Sequence, residues 1–352
     1  MSSDPSIDRA VPVSPPADHG AGRLSLLQRI ANLRAWLFLG ALVLGFEAWA
    51  RTVYGGTFIG NPFNLQSIAI FAVAPLLLAT GQTFVIISGG IDLSMGFIMG
   101  LAAVVCAHVV IWASPLMPAP YAVLLGFLVG VLVACVPGLV NGFLVAYLKV
   151  PPFIGTLGMF GVARGVAFLL AGGTTVPVSN GFLAGVGNGR LYGVPWVVII
   201  TAVFVLLMHY VLSQTRFGQH NYAVGANAQA ARRAGIDIKR HLLKLYILSG
   251  ACAGLAGVLY TARFSAGAAQ AGEPLLLDSV AAVVIGGASL FGGSGTILGT
   301  VAGAFVIAVI QYGLVFVNVK PFWQFISVGV VIIISVLIDQ AQRSFAGGRQ
   351  SE

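Results

Sequence analysis

Gly89-Gly90-Ile91-Asp92-Leu93-Ser94 sets a carboxylate and a hydroxyl behind two glycines, inside an apolar run that extends from Ser67 to Trp112. Two glycines end a helix, and Asp92 or Ser94 can cap the one that restarts at Met95. Two readings fit. One is a tight turn with a capping aspartate; the other is a broken helix whose end lines a polar pathway through an apolar medium. A second break, Ile285-Gly286-Gly287 onward to Gly295, faintly echoes Ile86–Gly90. Gly286 and Gly287 take the same pair of readings, and the echo itself is of the kind chance gives in a Gly-rich chain. Neither break is a phosphate loop, because Gly-Lys-Ser/Thr occurs nowhere in the chain.

Arg164, in Gly161-Val-Ala-Arg-Gly165, is a cation well inside another apolar run. Such a group must face protein, water or a carboxylate, and structural pairing weighs ahead of contact with a substrate. Glu47 and Asp278 are read the same way. His108 and His209 stand alone on apolar stretches and read as packing residues. Cys106, Cys135 and Cys252 lie in apolar runs without metal-ligand spacing, so they read as small packing groups with no disulfide framework. No catalytic residue, metal site or bound cofactor is expected from these patterns.

The elements that must hold these groups are set by composition. The chain has 352 residues, of which 58% are hydrophobic and only 8% charged, with a mean hydropathy of +0.96. A soluble domain carries about 25% charged residues, so this chain cannot coat a globule in water. That excludes a cytosolic enzyme, a disordered protein and a nucleic-acid binder; the 46 glycines lack a G-X-Y period, which excludes collagen. What remains is an all-α polytopic membrane protein in a lipid bilayer, whose net charge of +8 speaks first to topology.

At about 20 apolar residues per crossing, ten spans are predicted: Ala35–Val53, Ser67–Ile87, Met95–Trp112, Tyr121–Leu148, Pro152–Ala171, Pro195–Leu212, Leu242–Ala262, Leu276–Leu290, Thr296–Val317 and Phe322–Ile338. Some are broken, and the eighth is short enough to be a half-span. Residues 1–34 form a polar tail with no signal-peptide core, its first half expected to be disordered, and 339–352 form a second tail. Residues 35–338 are then the membrane domain. Arg9, Arg23, Arg29 and Arg34 precede the first span, and six basic residues from Arg216 to Lys244 follow the sixth. Six crossings put both clusters on one side and ten leave the Arg343/Arg349 tail there too, so both termini are predicted to be cytoplasmic.

The stretch 213–241 carries internal order. Gly225-Ala-Asn-Ala-Gln-Ala-Ala-Arg-Arg-Ala-Gly235 reads as a short helix. Asn227 is its N-cap, Ala230, Ala231 and Ala234 supply propensity, Arg232 and Arg233 suit the C-terminal end, and Gly235 is the stop. A helix of two turns does not persist in water by itself, so something must dock it: lipid headgroups on a basic face, or the groove of a cytoplasmic partner.

Leu212-Ser-Gln-Thr-Arg-Phe-Gly-Gln, together with Gly225 through Ile236, resembles the coupling loop of ribose-type permeases of bacterial ATP-binding-cassette importers. Three further stretches resemble the same family in the same order. They are Gly81-Gln-Thr-Phe-Val-Ile-Ile-Ser-Gly-Gly-Ile-Asp-Leu-Ser94, Pro152-Phe-Ile-Gly-Thr-Leu-Gly-Met159 with Arg164-Gly165, and Leu277-Asp-Ser-Val-Ala-Ala-Val-Val-Ile-Gly-Gly-Ala-Ser-Leu-Phe-Gly-Gly293. The resemblance implies a permease subunit in the bacterial inner membrane, paired with a second copy as a homo- or heterodimer. It implies an ATP-binding subunit that hydrolyses ATP, a periplasmic binding protein that delivers a monosaccharide, and no nucleic acid. It also implies that the helix at Asn227–Gly235 couples to the ATPase. Two alternatives stand beside it: a branched-chain amino-acid permease of the same superfamily, and an ion-coupled secondary transporter using Asp92.

Overall fold

The computed structural model of the protein describes residues 21–320 and 322–347. In chain order, α1 (Ala21–Val53), α2 (Pro62–Ile87), α3 (Met95–Ala113), α4 (Ala119–Ala146) and α5 (Pro152–Ala171) come first. The connection to the next long helix holds β1 (Val176–Pro177), α6 (Gly181–Asn188), β2 (Arg190–Leu191) and β3 (Val194–Pro195). Then follow α7 (Trp196–Gln214), α8 (Arg216–Ala226), α9 (Ala228–Arg233), α10 (Ile238–Phe264), β4 (Ala266–Gly267), α11 (Leu275–Ile285), α12 (Ile297–Phe316) and α13 (Phe322–Gly347). The architecture is helical throughout. The strands are two-residue clips: β1 pairs antiparallel with β4, and β2 with β3.

Among the described residues, eight helices are long and apolar enough to cross a membrane: α1 from Leu33, α2, α3, α4, α5, α7, α10 and α12. Two further apolar helical stretches are shorter, α11 and Phe322–Ile334 of α13. The eighth expected span is therefore a half-length helix. Its eleven residues rise about 16 Å, against the ~30 Å of a bilayer core, and Gly286 ends it. At the other end of the chain, α1 begins at Ala21, so the last part of the expected polar tail 1–34 is helical. The expected disorder of its first half falls in residues 1–20, outside the described residues, as does the end of the second tail, 348–352.

Burial sorts the helices into two layers. α2, α3, α10 and α12 form the interior, and α1, α4, α5 and α7 surround it with wide exposed apolar faces. In a bilayer no hydrophobic force separates helix from lipid, so close backbone packing decides which helices pair. The α4–α10 seam shows how. A methyl added at Gly250 would lie 2.5 Å from the Ala134 carbonyl oxygen, and one at Gly254 would lie 2.8 Å from the Ala134 methyl. Gly138 and Gly142 of α4 meet the α10 backbone at Tyr246 and Leu243 in the same way. Pro75 and Pro137 sit inside α2 and α4, as bundle interiors allow.

The three cysteines are free thiols; Cys106 and Cys252 are fully buried. His108 Nε2 bonds the Leu170 carbonyl at 2.9 Å. Glu47 accepts from Arg51 at 2.6 Å and from the amides of Phe58 and Ile59, which fastens the turn after α1. Asp278 accepts from Gln311 at 2.7 Å, tying α11 to α12. All of these are packing or fastening roles.

Candidate functional site

The Gly89–Ser94 break is a buried polar knot. Gly89 takes φ +82° and ends α2, and the chain then folds back into the bundle rather than continuing past the helix end. Met95 packs against Gly81, and the Gln82 amide pairs with the backbone N–H and C=O of Asp92 at 3.3 and 3.2 Å. α3 therefore starts level with Gly81–Gln82, about five residues or roughly 8 Å inside the end of α2.

Asp92 is fully buried. Its Oδ1 accepts from the Ser94 amide at 3.0 Å and the Ser94 hydroxyl at 2.5 Å; its Oδ2 accepts from Ser249 at 2.6 Å. Asn141 of α4 donates to the Ser94 hydroxyl at 2.8 Å and reaches Asp92 at 3.5 Å. The expected helix cap is not made: Ser94 occupies the N-cap position of α3 without a side-chain cap bond. The carboxylate instead joins the break to α4 and α10. No basic side chain pairs with it among the described residues, and Asn141 Oδ1 is buried without a partner.

Arg164 is exposed on α5, not enclosed. Its guanidinium lies 5.3 Å from the Phe97 ring centroid and 6.0 Å from that of Phe168, and no carboxylate pairs with it among the described residues. The expectation of an ion pair is thus replaced by cation–π stacking at the edge of an open face. The physical reason is position: the neighbours of Arg164 on that face are Gly161 and Gly165, with nothing within 4 Å of where their side chains would begin.

The second site is the connection from α7 to α10. Its short helix stands as read from the sequence. Asn227 Oδ1 accepts from the Ala230 amide at 3.0 Å, and Gly235 (φ +87°) closes the helix with a bond from Ile236 to Ala231 at 3.1 Å. Arg232, Arg233, Ala230 and Ala234 are exposed, whereas Ala231 is buried and does not point outward. α9 has six residues, too few to stand alone.

What holds it is α8, which the sequence reading passed over. Thr215 caps α8, and Phe217, Asn221 and Val224 form its inward stripe at helical spacing. Asn221 donates to the Phe84 carbonyl at 2.9 Å, and Tyr222 to the Gly295 carbonyl at 2.7 Å. Burial pushes the Tyr222 phenol above its ordinary pKa, so it remains a donor. A methyl on Gly225 would overlap the Ile87 carbonyl oxygen and lie 2.6 Å from the Gly293 amide. That amide donates to the same Ile87 carbonyl at 2.8 Å.

The two Gly-rich breaks therefore meet, with α8 clamped over them. Gly286 caps the end of α11 and Gly287 (φ +89°) reverses the chain. Both act as a structural break, with Gly286 against the Gly299 backbone. The signal for α8 lay in Thr215 followed by Phe217, Asn221 and Val224; the polarity of the surrounding residues masked it.

The chain matches, over residues 64–336, a family described as "Branched-chain amino acid transport system / permease component". It is similar to the fructose import permease protein FrcC of Rhizobium meliloti, with 36% identity over 320 residues, 87% of this chain and 85% of that protein. It is also similar to the ribose import permease protein RbsC of Escherichia coli K12, with 37% identity over 293 residues, 81% and 87% of the two chains. The xylose transport system permease protein XylH of Haemophilus influenzae is 32% identical over 373 residues, 89% of this chain and 97% of that protein. With eight helices able to cross a bilayer and these matches spanning nearly the whole bundle, the chain is a multi-pass membrane protein and belongs to this family of transport-system permease components.

Proposed function

We propose that the protein is the permease subunit of an ATP-driven importer in the bacterial inner membrane, carrying a monosaccharide handed over by a periplasmic binding protein. The observation that carries this reading is the extent of the likeness to import permeases named for fructose, ribose and xylose. It supports a sugar over the amino-acid alternative that the family description leaves open. In this reading residues 35–338 form the permease domain, 213–241 the cytoplasmic coupling loop, and 1–34 and 339–352 cytoplasmic tails. A second permease copy completes the pathway, and ATP is hydrolysed by a separate subunit. α9 is the contact with that subunit, because it is capped at both ends, exposed on one side and bolted to the bundle through α8 on the other. The chain itself binds no cofactor.

Reconstitution in liposomes tests this. The purified chain alone should hydrolyse no ATP, and the assembled complex should take up labelled ribose, xylose, fructose or galactose only with ATP inside the compartment facing α9. Hydrolysis by the chain alone at the rate of the complex would sink the proposal. Uptake that needs an ion gradient and no ATP would instead favour the secondary-transport reading of Asp92.

A further inference from the structure

Two side chains of opposite charge stand exposed at a depth where hydrocarbon would otherwise lie. Arg164 is about 18 Å along α5 from its Pro152 end. Glu273 belongs to the non-helical stretch 268–274, which runs along α3. A methyl at Gly96 would lie 2.6 Å from the Gly272 carbonyl oxygen, and one at Gly100 would overlap that of Ala269. The stretch also shares hydrophobic clusters with α5. Ala269 clusters with Ala167 and Ala171, while Ala271 and Leu275 pack on the cluster that holds Phe97, with Phe160 and Phe168 beside it. Both therefore pack on the first turns of α3, the Arg164 face through Phe97 and the 268–274 stretch through Gly96 and Gly100.

Arg164, Gly165, Gln270 and Glu273 are all exposed there. Among the described residues the Glu273 carboxylate and the Gln270 amide have no side-chain hydrogen bond, and Arg164 has only its rings. A charge turned to lipid at the centre of a span costs about 2.5–3.5 kcal/mol or more. Non-helical backbone at membrane depth is tolerated only against protein or a water-filled cavity. Both constraints turn this surface away from lipid.

We propose that Arg164, Gln270 and Glu273 form a polar wall of the translocation pathway that hydrogen-bonds the hydroxyls of the passing monosaccharide, with the half-buried Phe168 offering its ring a stacking face. This rests on the sugar-importer reading above. The chemistry suits a polyol: each hydroxyl both donates and accepts, so a cation and an anion on one wall serve it without either being neutralised. The open, shallow form of the wall suits binding weak enough to release the sugar.

The test uses the reconstituted complex, with Cys106, Cys135 and Cys252 replaced by alanine and Gly165→Cys added as a reporter. A charged, membrane-impermeant thiol reagent should label that position. The transported sugar should slow that labelling at least about threefold during turnover, while leucine should not. Labelling by lipophilic reagents alone, no labelling at all, or protection by leucine overturns the proposal. Independently, Glu273→Gln should raise the KM for sugar uptake about tenfold, the loss of one charge-assisted hydrogen bond, with ATP hydrolysis retained. An unchanged KM overturns it. Failure of the underlying reading looks different: the unaltered complex would then show no ATP-dependent sugar uptake.

Discussion

The Ser249 hydroxyl donates to Asp92 at 2.6 Å, joining residues 157 positions apart. The bond makes the α2–α3 break part of α10, so a movement of either is felt by the other. Asp92→Ala should leave the donors of Ser94 and Ser249 buried without an acceptor, at about 1–3 kcal/mol each. That variant should show a lower melting temperature in detergent and reduced membrane levels. Asp92→Asn keeps the shape, with Oδ1 still accepting from the Ser94 amide and hydroxyl and Nδ2 donating to a Ser249 hydroxyl turned to accept, so it should assemble and transport normally. Lost uptake with normal protein levels in Asp92→Asn would give the charge itself a role.

Gly225 should tolerate no side chain. Gly225→Val forces α8 off the Ile87 carbonyl and the Gly293 amide, at the joint between the basic helices and both Gly-rich breaks. The expected result is an assembled complex that hydrolyses ATP while uptake falls by an order of magnitude or more. Sugar moved per ATP hydrolysed is the quantity to measure, and an unchanged ratio would show that the joint carries no force.

At α9 the exposed positions are the ones to probe. A cysteine at Ala230 should crosslink to the ATP-binding subunit, and Ala230→Trp should weaken their association. Ala231 is buried, so a bulky residue there damages the module rather than its outer contact. Asn227→Ala removes a cap worth about 0.5–2 kcal/mol, enough to loosen a six-residue helix. Hydrogen exchange across 226–236 should rise in that variant.

Arg164→Leu should reduce uptake strongly at normal membrane levels, because the open face loses the guanidinium stacked on Phe97 and Phe168. Arg164→Lys should keep part of the activity, since an ammonium retains the charge but not the flat stacking on Phe97 and Phe168. Uptake assays beside quantified membrane expression decide this. Equal, full uptake in both variants would show that the charge is dispensable.

Gly250→Val attacks packing alone. The added carbons meet the Ala134 carbonyl across the α4–α10 seam, and overpacking of this kind costs about 1–3 kcal/mol or more. The variant should fail by instability in detergent, with no selective effect on coupling.

Much of this was legible in the residues. The helical membrane architecture followed from a charge content too low for water, and most span boundaries from runs of apolar length. Asn227 and Gly235 announced their helix because capping is local chemistry. What stayed hidden depends on contacts far apart in sequence. Asp92 looked like a cap because its partners Ser249 and Asn141 lie on other helices. Arg164 looked in need of a carboxylate because nothing local shows that it rests on Phe97. The two Gly-rich breaks resembled each other only faintly, yet Gly293 bonds Ile87; no periodicity encodes that meeting. α8 escaped because its inward stripe includes Asn221, whose burial makes sense only once the Phe84 carbonyl is beside it.

The stretch 268–274 also constrains how the protein is made. Its backbone leaves the helical pattern at a depth where lipid offers no hydrogen-bonding groups, and it rests on Gly96 and Gly100 of α3. A nascent chain cannot leave such a segment bare in the bilayer. α3 must already be seated, with its glycines turned to receive the stretch, before α11 can enter. The order of synthesis, α3 well ahead of α11, is therefore the order that assembly demands, and a rearranged chain in which α11 emerged first would expose this stretch to lipid during biogenesis.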